Sequence, residues 1–96
     1  MLVHIVMFAF KDENKEENLL RVKEMLEALP SKIATIKGME VGMDISHSER
    51  SFDLVLTSTF ENQEGLNVYA IHPDHLAVVS VIKEVTNLSK VVDYLR

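Results

Sequence analysis

Tyr69-Ala70-Ile71-His72-Pro73-Asp74-His75 brings two of the chain's four histidines and one of its two tyrosines into one short stretch. Imidazole and phenol are well suited to moving protons near neutral pH. Pro73 stops one helical pattern here and can start the next. With Pro73 as first helical residue, His75 lies where free backbone N–H groups and the helix dipole disfavour a positive imidazolium. A neutral His75 could take a proton from a carbon acid or orient a hydroxyl. Tyr69, across the break, could hydrogen-bond a carbonyl oxygen and stabilise a developing enolate. His4, in an apolar run near the N-terminus, shares a strand face with Phe8 and would stand on the floor of a pocket. The chemistry expected is proton transfer on a small, partly apolar carbonyl compound.

The same residues have plainer roles. A histidine beside a proline at a helix start is often a cap, which is the role expected of His72. For His75 both readings stand, and His4 and Tyr69 equally suit pocket lining without chemistry. His72 and His75 are spaced to share a helix face, yet Pro73 disrupts that turn and only Asp74 is near. Asp74 answers the helix dipole instead. No metal site is expected, and no cofactor is implied.

Around these residues the chain must build a fold from 96 residues, 47% of them hydrophobic and 26% charged. That is globular composition, sufficient for one domain over 1–96. The net charge of −5 argues against a nucleic-acid grip. Lys11, Lys15, Arg21, Lys23, Lys32 and Lys37 are isolated or interleaved with acids. The absence of cysteine excludes disulfides, thiolate catalysis and cysteine-ligated metals. The apolar start lacks the features of a signal peptide, and no run is long enough to span a membrane. The expectation is a soluble, cytoplasmic protein without membrane or nucleic-acid partners.

Leu2–Phe10, β-branched and aromatic, reads as a strand. Asn14 and Glu17 resemble a capping box opening a helix, in which Leu19, Val22, Leu26 and Leu29 recur until Pro30. Gly38 marks a turn, and Met39–Ile45 reads as a second strand, with Gly42 suggesting a bulge or an edge. Ser46–Ser51 is a polar connection, with His47 expected in solvent, and Phe52–Phe60 is a third strand. Asn62 caps a short helix to about Ile71. A longer helix runs from Pro73 to Asn87, and Lys90–Leu95 is the last strand. This βαββαβ order predicts a ferredoxin-like α+β fold, a four-stranded antiparallel sheet with helices on one face.

The first strand is apolar on both sides, with Val3, Ile5, Met7 and Ala9 opposing His4, Val6, Phe8 and Phe10. On the third strand Phe52, Leu54, Leu56 and Phe60 share a face. Helices cover only one side of such a sheet, so the other would be an exposed apolar patch. A second copy packing sheet to sheet removes it, which predicts a homodimer with a ligand space between the sheets. Val6, Phe8, Phe10, Leu54, Leu56 and His72 are the expected lining around His4, Tyr69 and His75.

His4-Ile5-Val6-Met7-Phe8-Ala9-Phe10-Lys11, Thr59-Phe60-Glu61, the Tyr69–His75 stretch and Val92-Asp93-Tyr94 together resemble the stress-responsive α/β-barrel (Dabb) domain. The resemblance covers essentially the whole chain in order and spacing. It implies a dimeric α/β barrel in which two ferredoxin-like sheets enclose a cavity. Olivetolic acid cyclase-like members of that family close a polyketide chain by aldol condensation. Their catalytic tyrosine and histidine match Tyr69 and His75, and their pocket histidine matches His4. Their first helix carries aromatic pocket residues where this chain has Leu19, Leu20 and Val22, so the polyketide substrate is not carried over.

The expected function is binding of a small apolar or aromatic ligand, with His75, Tyr69 and His4 as its acid–base groups. One alternative is a non-catalytic, stress-responsive protective or structural protein, its interior filled by Phe8, Phe10 and Leu56. Another, by analogy of fold alone, is a haem- or quinol-related monooxygenase.

Overall fold

The apolar N-terminal run forms β1 (Leu2–Phe10), a strand with hydrogen-bonded neighbours on both sides. In the computed structural model, which describes residues 1–96, β1 lies between β3 (Leu54–Phe60) and β4 (Thr86–Leu95). β2 (Gly38–Met43) completes an antiparallel sheet of order β2-β3-β1-β4. Three helices, α1 (Lys15–Glu27), α2 (Gln63–Ile71) and α3 (Pro73–Val85), follow in the expected ferredoxin-like order. The second helical element is split at His72, as the proline predicts.

α1 turns Val22 and Leu26 into the core and gives way to a 3₁₀ turn over Leu29–Ser31 that takes in Pro30. Its start differs from expectation. Asn14 is left-handed (φ 52°, ψ 33°) and its side chain makes no capping bond, so there is no capping box. A cap needs extended backbone to aim its oxygen at the first turn. Asn62 meets that requirement, and its Oδ1 accepts the Gly65 N–H at 3.0 Å.

β2 stops at Met43 rather than Ile45, because Asp44 Oδ2 accepts the His47 N–H at 2.7 Å and turns the chain away. His47, at φ 51°, is exposed as expected. Gly42 marks no bulge, since the β2–β3 register runs evenly through it. Of the two readings of that glycine, the edge position holds. Gly38 is required by close approach: a Cβ there would meet Thr59 Oγ1 at 2.8 Å. β4 begins at Thr86, well before Lys90. Thr86 Oγ1 donates to the Ile82 carbonyl at 2.7 Å, so α3 runs directly into the strand. Residues 87–95 are all exposed. Polar Asn87 and Ser89 are tolerated in such an edge strand and hide it from the alternation rule.

The sheet face that carries His4, Val6, Phe8 and Phe10 is the one the helices cover. Phe8, Phe10, Leu54 and Leu56 are buried in a single core cluster with Phe60 and Tyr69. They fill the space between sheet and helices. Val6 is partly buried against the same cluster. Each large apolar side chain buried here contributes roughly 1.5–3 kcal/mol. His4 therefore does not face a space between two sheets, a correction to where the pocket was expected. When both faces of a strand are apolar, alternation does not say which the helices take.

Val3, Ile5, Met7 and Ala9 point the other way, opposite Tyr94, Val92, Lys90 and Leu88 of β4. Val92 and Tyr94 remain exposed on that surface. No helix is long and apolar enough to cross a membrane.

Candidate functional site

Leu66 and Tyr69, one turn apart, form the buried stripe of α2, and this spacing drives the phenol into the core. Tyr69 is only 1% exposed. Its ring lies 5.2 Å from Phe60, 4.1 Å from the His75 imidazole and 6.2 Å from that of His4, centroid to centroid. The three residues singled out for proton chemistry therefore meet around one phenol. Tyr69 Oη is buried and has no hydrogen-bond partner. Burial pushes its pKa up to about 12, so it stays a protonated donor.

α3 begins at Pro73 and places His75 in its first turn. His75 Nδ1 lies 3.1 Å from the Ala70 carbonyl oxygen at the end of α2. A carbonyl only accepts, so Nδ1 carries the hydrogen and the neutral ring keeps its lone pair on Nε2. Burial holds the imidazole below its ordinary pKa, with His4 and His72 acting the same way and the Ala70 carbonyl opposing them. Burial is thus the leading cause of that lowering.

His4 projects from β1 beneath these groups. Its Nδ1 lies 2.5 Å from Asp93 Oδ1, the residue directly opposite on β4. The carboxylate fixes the imidazole tautomer and leaves Nε2 free to accept. No helix covers β4, so Asp93 is exposed while Tyr69 is shut in. His72 stands apart from the cluster's chemistry: its Nδ1 accepts the Asp74 N–H at 3.1 Å and caps α3, the role expected of it. No group of acidic or imidazole side chains is arranged to hold a metal ion. Five surface clefts, of about 230 to 490 Å³, are lined by residues other than His4, Tyr69 and His75.

The stress responsive A/B barrel domain (Dabb) model matches residues 2–95. The chain belongs to this family. A stress-response A/B barrel domain-containing protein of Arabidopsis thaliana is 31% identical over 94 residues, 95% of this chain and 82% of the relative. A solved structure from Bacteroides fragilis, described as a dimeric protein of unknown function with a ferredoxin-like fold, is 35% identical. Its TM-score is 0.89, covering 97% of this chain and 93% of that one. A hydroxynitrile lyase from Passiflora edulis shares the fold at TM-score 0.86 over 97% of this chain and 90% of its own. At 16% identity that likeness is one of fold.

Within this Dabb chain, Asp93 is the residue that the sequence argument left without a chemical role. Its partnership with His4 depends on the β1–β4 register, set by contacts between strands at opposite ends of the chain. The signal available was weak: a carboxylate on the last strand, at a position that antiparallel pairing could bring opposite His4.

Proposed function

We propose that this Dabb protein is a homodimer that binds a small apolar or aromatic carbonyl compound at His4, Tyr69 and His75 and transfers a proton on it. The observation that carries the reading is the buried, unpartnered Tyr69 hydroxyl. Leaving such a group unsatisfied costs about 1–3 kcal/mol, a cost that a ligand oxygen accepting from Oη would remove. In the proposed reaction the carbonyl oxygen takes the Tyr69 hydrogen bond. His75 Nε2 removes a proton from the adjacent carbon, and the phenol stabilises the enolate oxygen. Return of that proton from His75 to the far carbon of a conjugated enolate completes isomerisation; alternatively, the enolate carbon attacks a second carbonyl and the alkoxide so formed takes the proton back from His75, completing ring closure. His4, oriented by Asp93, accepts a hydrogen bond from a hydroxyl of the ligand.

The dimer draws on the apolar outer face of the sheet and on the dimeric relative at 35% identity. A second reading, a non-catalytic protective or structural protein, is favoured by one observation: Phe8, Phe10 and Leu56 fill the interior. The two separate by experiment. Aromatic ketones and aldehydes bearing α-hydrogens, acetophenone and phenylacetaldehyde among them, are incubated with the protein in deuterated water. Exchange of the α-hydrogens is followed by proton NMR. Enzymatic exchange in the wild type that is lost in Tyr69→Phe and His75→Ala supports the catalytic reading. Equal rates in all three, with no ligand-induced shift at Tyr69 or His75, would leave the protective reading.

A further inference from the structure

His72 caps α3 in a way that other common caps do not. Its backbone is extended (φ −64°, ψ 135°), as the residue before a proline prefers. Pro73 has no N–H, so the first donor α3 presents belongs to Asp74, and His72 Nδ1 accepts it at 3.1 Å. Accepting requires a lone pair on Nδ1, which imidazole has only when that nitrogen is unprotonated. A serine, asparagine or aspartate cap keeps its acceptor near neutral pH; a histidine cap loses it on protonation.

This corner is also where the cluster is held together. The His72 N–H donates to the Tyr69 carbonyl at 3.2 Å, and its carbonyl accepts the Leu76 N–H at 2.9 Å. The His75 ring reaches back across the corner to the Ala70 carbonyl. The pose of His75 over Tyr69 thus depends on how the end of α2 and the first turn of α3 meet.

We infer that His72 is a positioning residue: its neutral imidazole, by capping α3, holds His75 against Tyr69, and protonation of His72 releases that hold. Asp74 Oδ2 lies 3.7 Å from His72 Nδ1 and would draw a protonated ring out of the cap into an ion pair. His75 is the other titrating neighbour and opposes a second positive charge. From the opposite side, Glu24 of α1 and Lys32 line the cleft that Asp74 borders. The inference rests on the proposed role of His75 for its functional meaning, but not for its test.

The test uses ¹⁵N-labelled full-length protein and two NMR readouts that need no substrate. The first is the protection of the Asp74 amide against hydrogen exchange between pH 8 and pH 5, corrected for intrinsic rates. The wild type should lose roughly fivefold in protection as His72 protonates, the scale of a lost cap. His72→Asn, which caps without titrating, should hold its protection across the range. The second is the His75 ring resonance, displaced by the Tyr69 ring 4.1 Å away. His72→Ala should move it toward an unstacked value at pH 8, and His72→Asn should restore it. Asp74 protection in the wild type as high at pH 5 as at pH 8 would overturn the inference. So would a His75 resonance unmoved in a folded His72→Ala protein. If that variant does not fold, the wild-type and His72→Asn exchange profiles decide alone. Failure of the proton-transfer reading would appear separately, as no α-hydrogen exchange with these NMR signatures intact.

Discussion

Asp93 Oδ1 lies 2.5 Å from His4 Nδ1, on directly opposed positions of the β1–β4 ladder. A strand pair at the rim of the sheet thereby aims an imidazole under the helices, with its carboxylate still reachable from solvent. The pair orients a ring and contributes little to folding, because the Asp93 side chain remains 41% exposed and polar pairs that wet are worth about 0–1 kcal/mol. Asp93→Ala should therefore lower ligand affinity or turnover about tenfold to a hundredfold, the loss expected from a charged hydrogen bond of about 1.5–3 kcal/mol. Its unfolding free energy in urea should change by less than about 1 kcal/mol. A large stability loss with function intact would make the pair structural.

Tyr69→Phe separates stability from function in the opposite sense. The phenol oxygen is buried without a partner, so deleting it removes a desolvated group and keeps the ring packed on Phe60 and His75. The variant should be as stable as the wild type, or more stable by about 1 kcal/mol. It should lose α-hydrogen exchange by on the order of a hundredfold, the scale of one lost oxyanion donor. Thermal unfolding beside the exchange assay checks both. Marked destabilisation would mean that the hydroxyl has a partner after all.

The half-buried His75 makes the fold acid-sensitive. Its folded-state pKa lies below the ordinary 6.5, chiefly through burial. Between that lowered value and 6.5 the unfolded chain binds more protons, so stability is full above about 6.5 and declines as pH falls through this window. Below the folded value the loss is complete and levels off. His75→Gln cannot titrate and should show a shallower decline from pH 8 to pH 5. Urea midpoints at several pH values decide, and parallel curves for the two proteins would assign the sensitivity elsewhere.

Much of this architecture was legible in the chain because its signals are local. The β-branched run of β1, the helical spacing of Val22 and Leu26 and the Pro73 break each act over a few residues. So does the Asn62 cap, whereas Asn14 misled because its side chain suits a cap but its backbone is left-handed. Meeting of Tyr69 with His75 was foreseeable from their nearness across one corner. What stayed hidden depends on distant pairing. The His4–Asp93 contact needs the β1–β4 register, and β4 is exposed along an edge where no alternation marks its start. The side of β1 that takes the helices was likewise undetermined, and with it the side of the sheet on which His4 meets Tyr69 and His75.

The outer face of the sheet yields the last prediction. Ile5 and Val92 stand opposite each other on it, and Val92 is 59% exposed in the single chain. In the proposed homodimer this ladder lies between the two sheets, where an unpaired charge costs several kcal/mol. Val92→Glu should dissociate the dimer by more than about a hundredfold in sedimentation equilibrium. Because Val92 is exposed in the lone protomer, the variant should keep wild-type helical circular dichroism. A wild type that sediments as a monomer at micromolar concentration would remove the homodimer from the proposed function. A Val92→Glu protein as dimeric as the wild type would move the interface off this face. The His4–Tyr69–His75 cluster lies on the opposite side of the sheet, so neither result would by itself remove the proton-transfer reading.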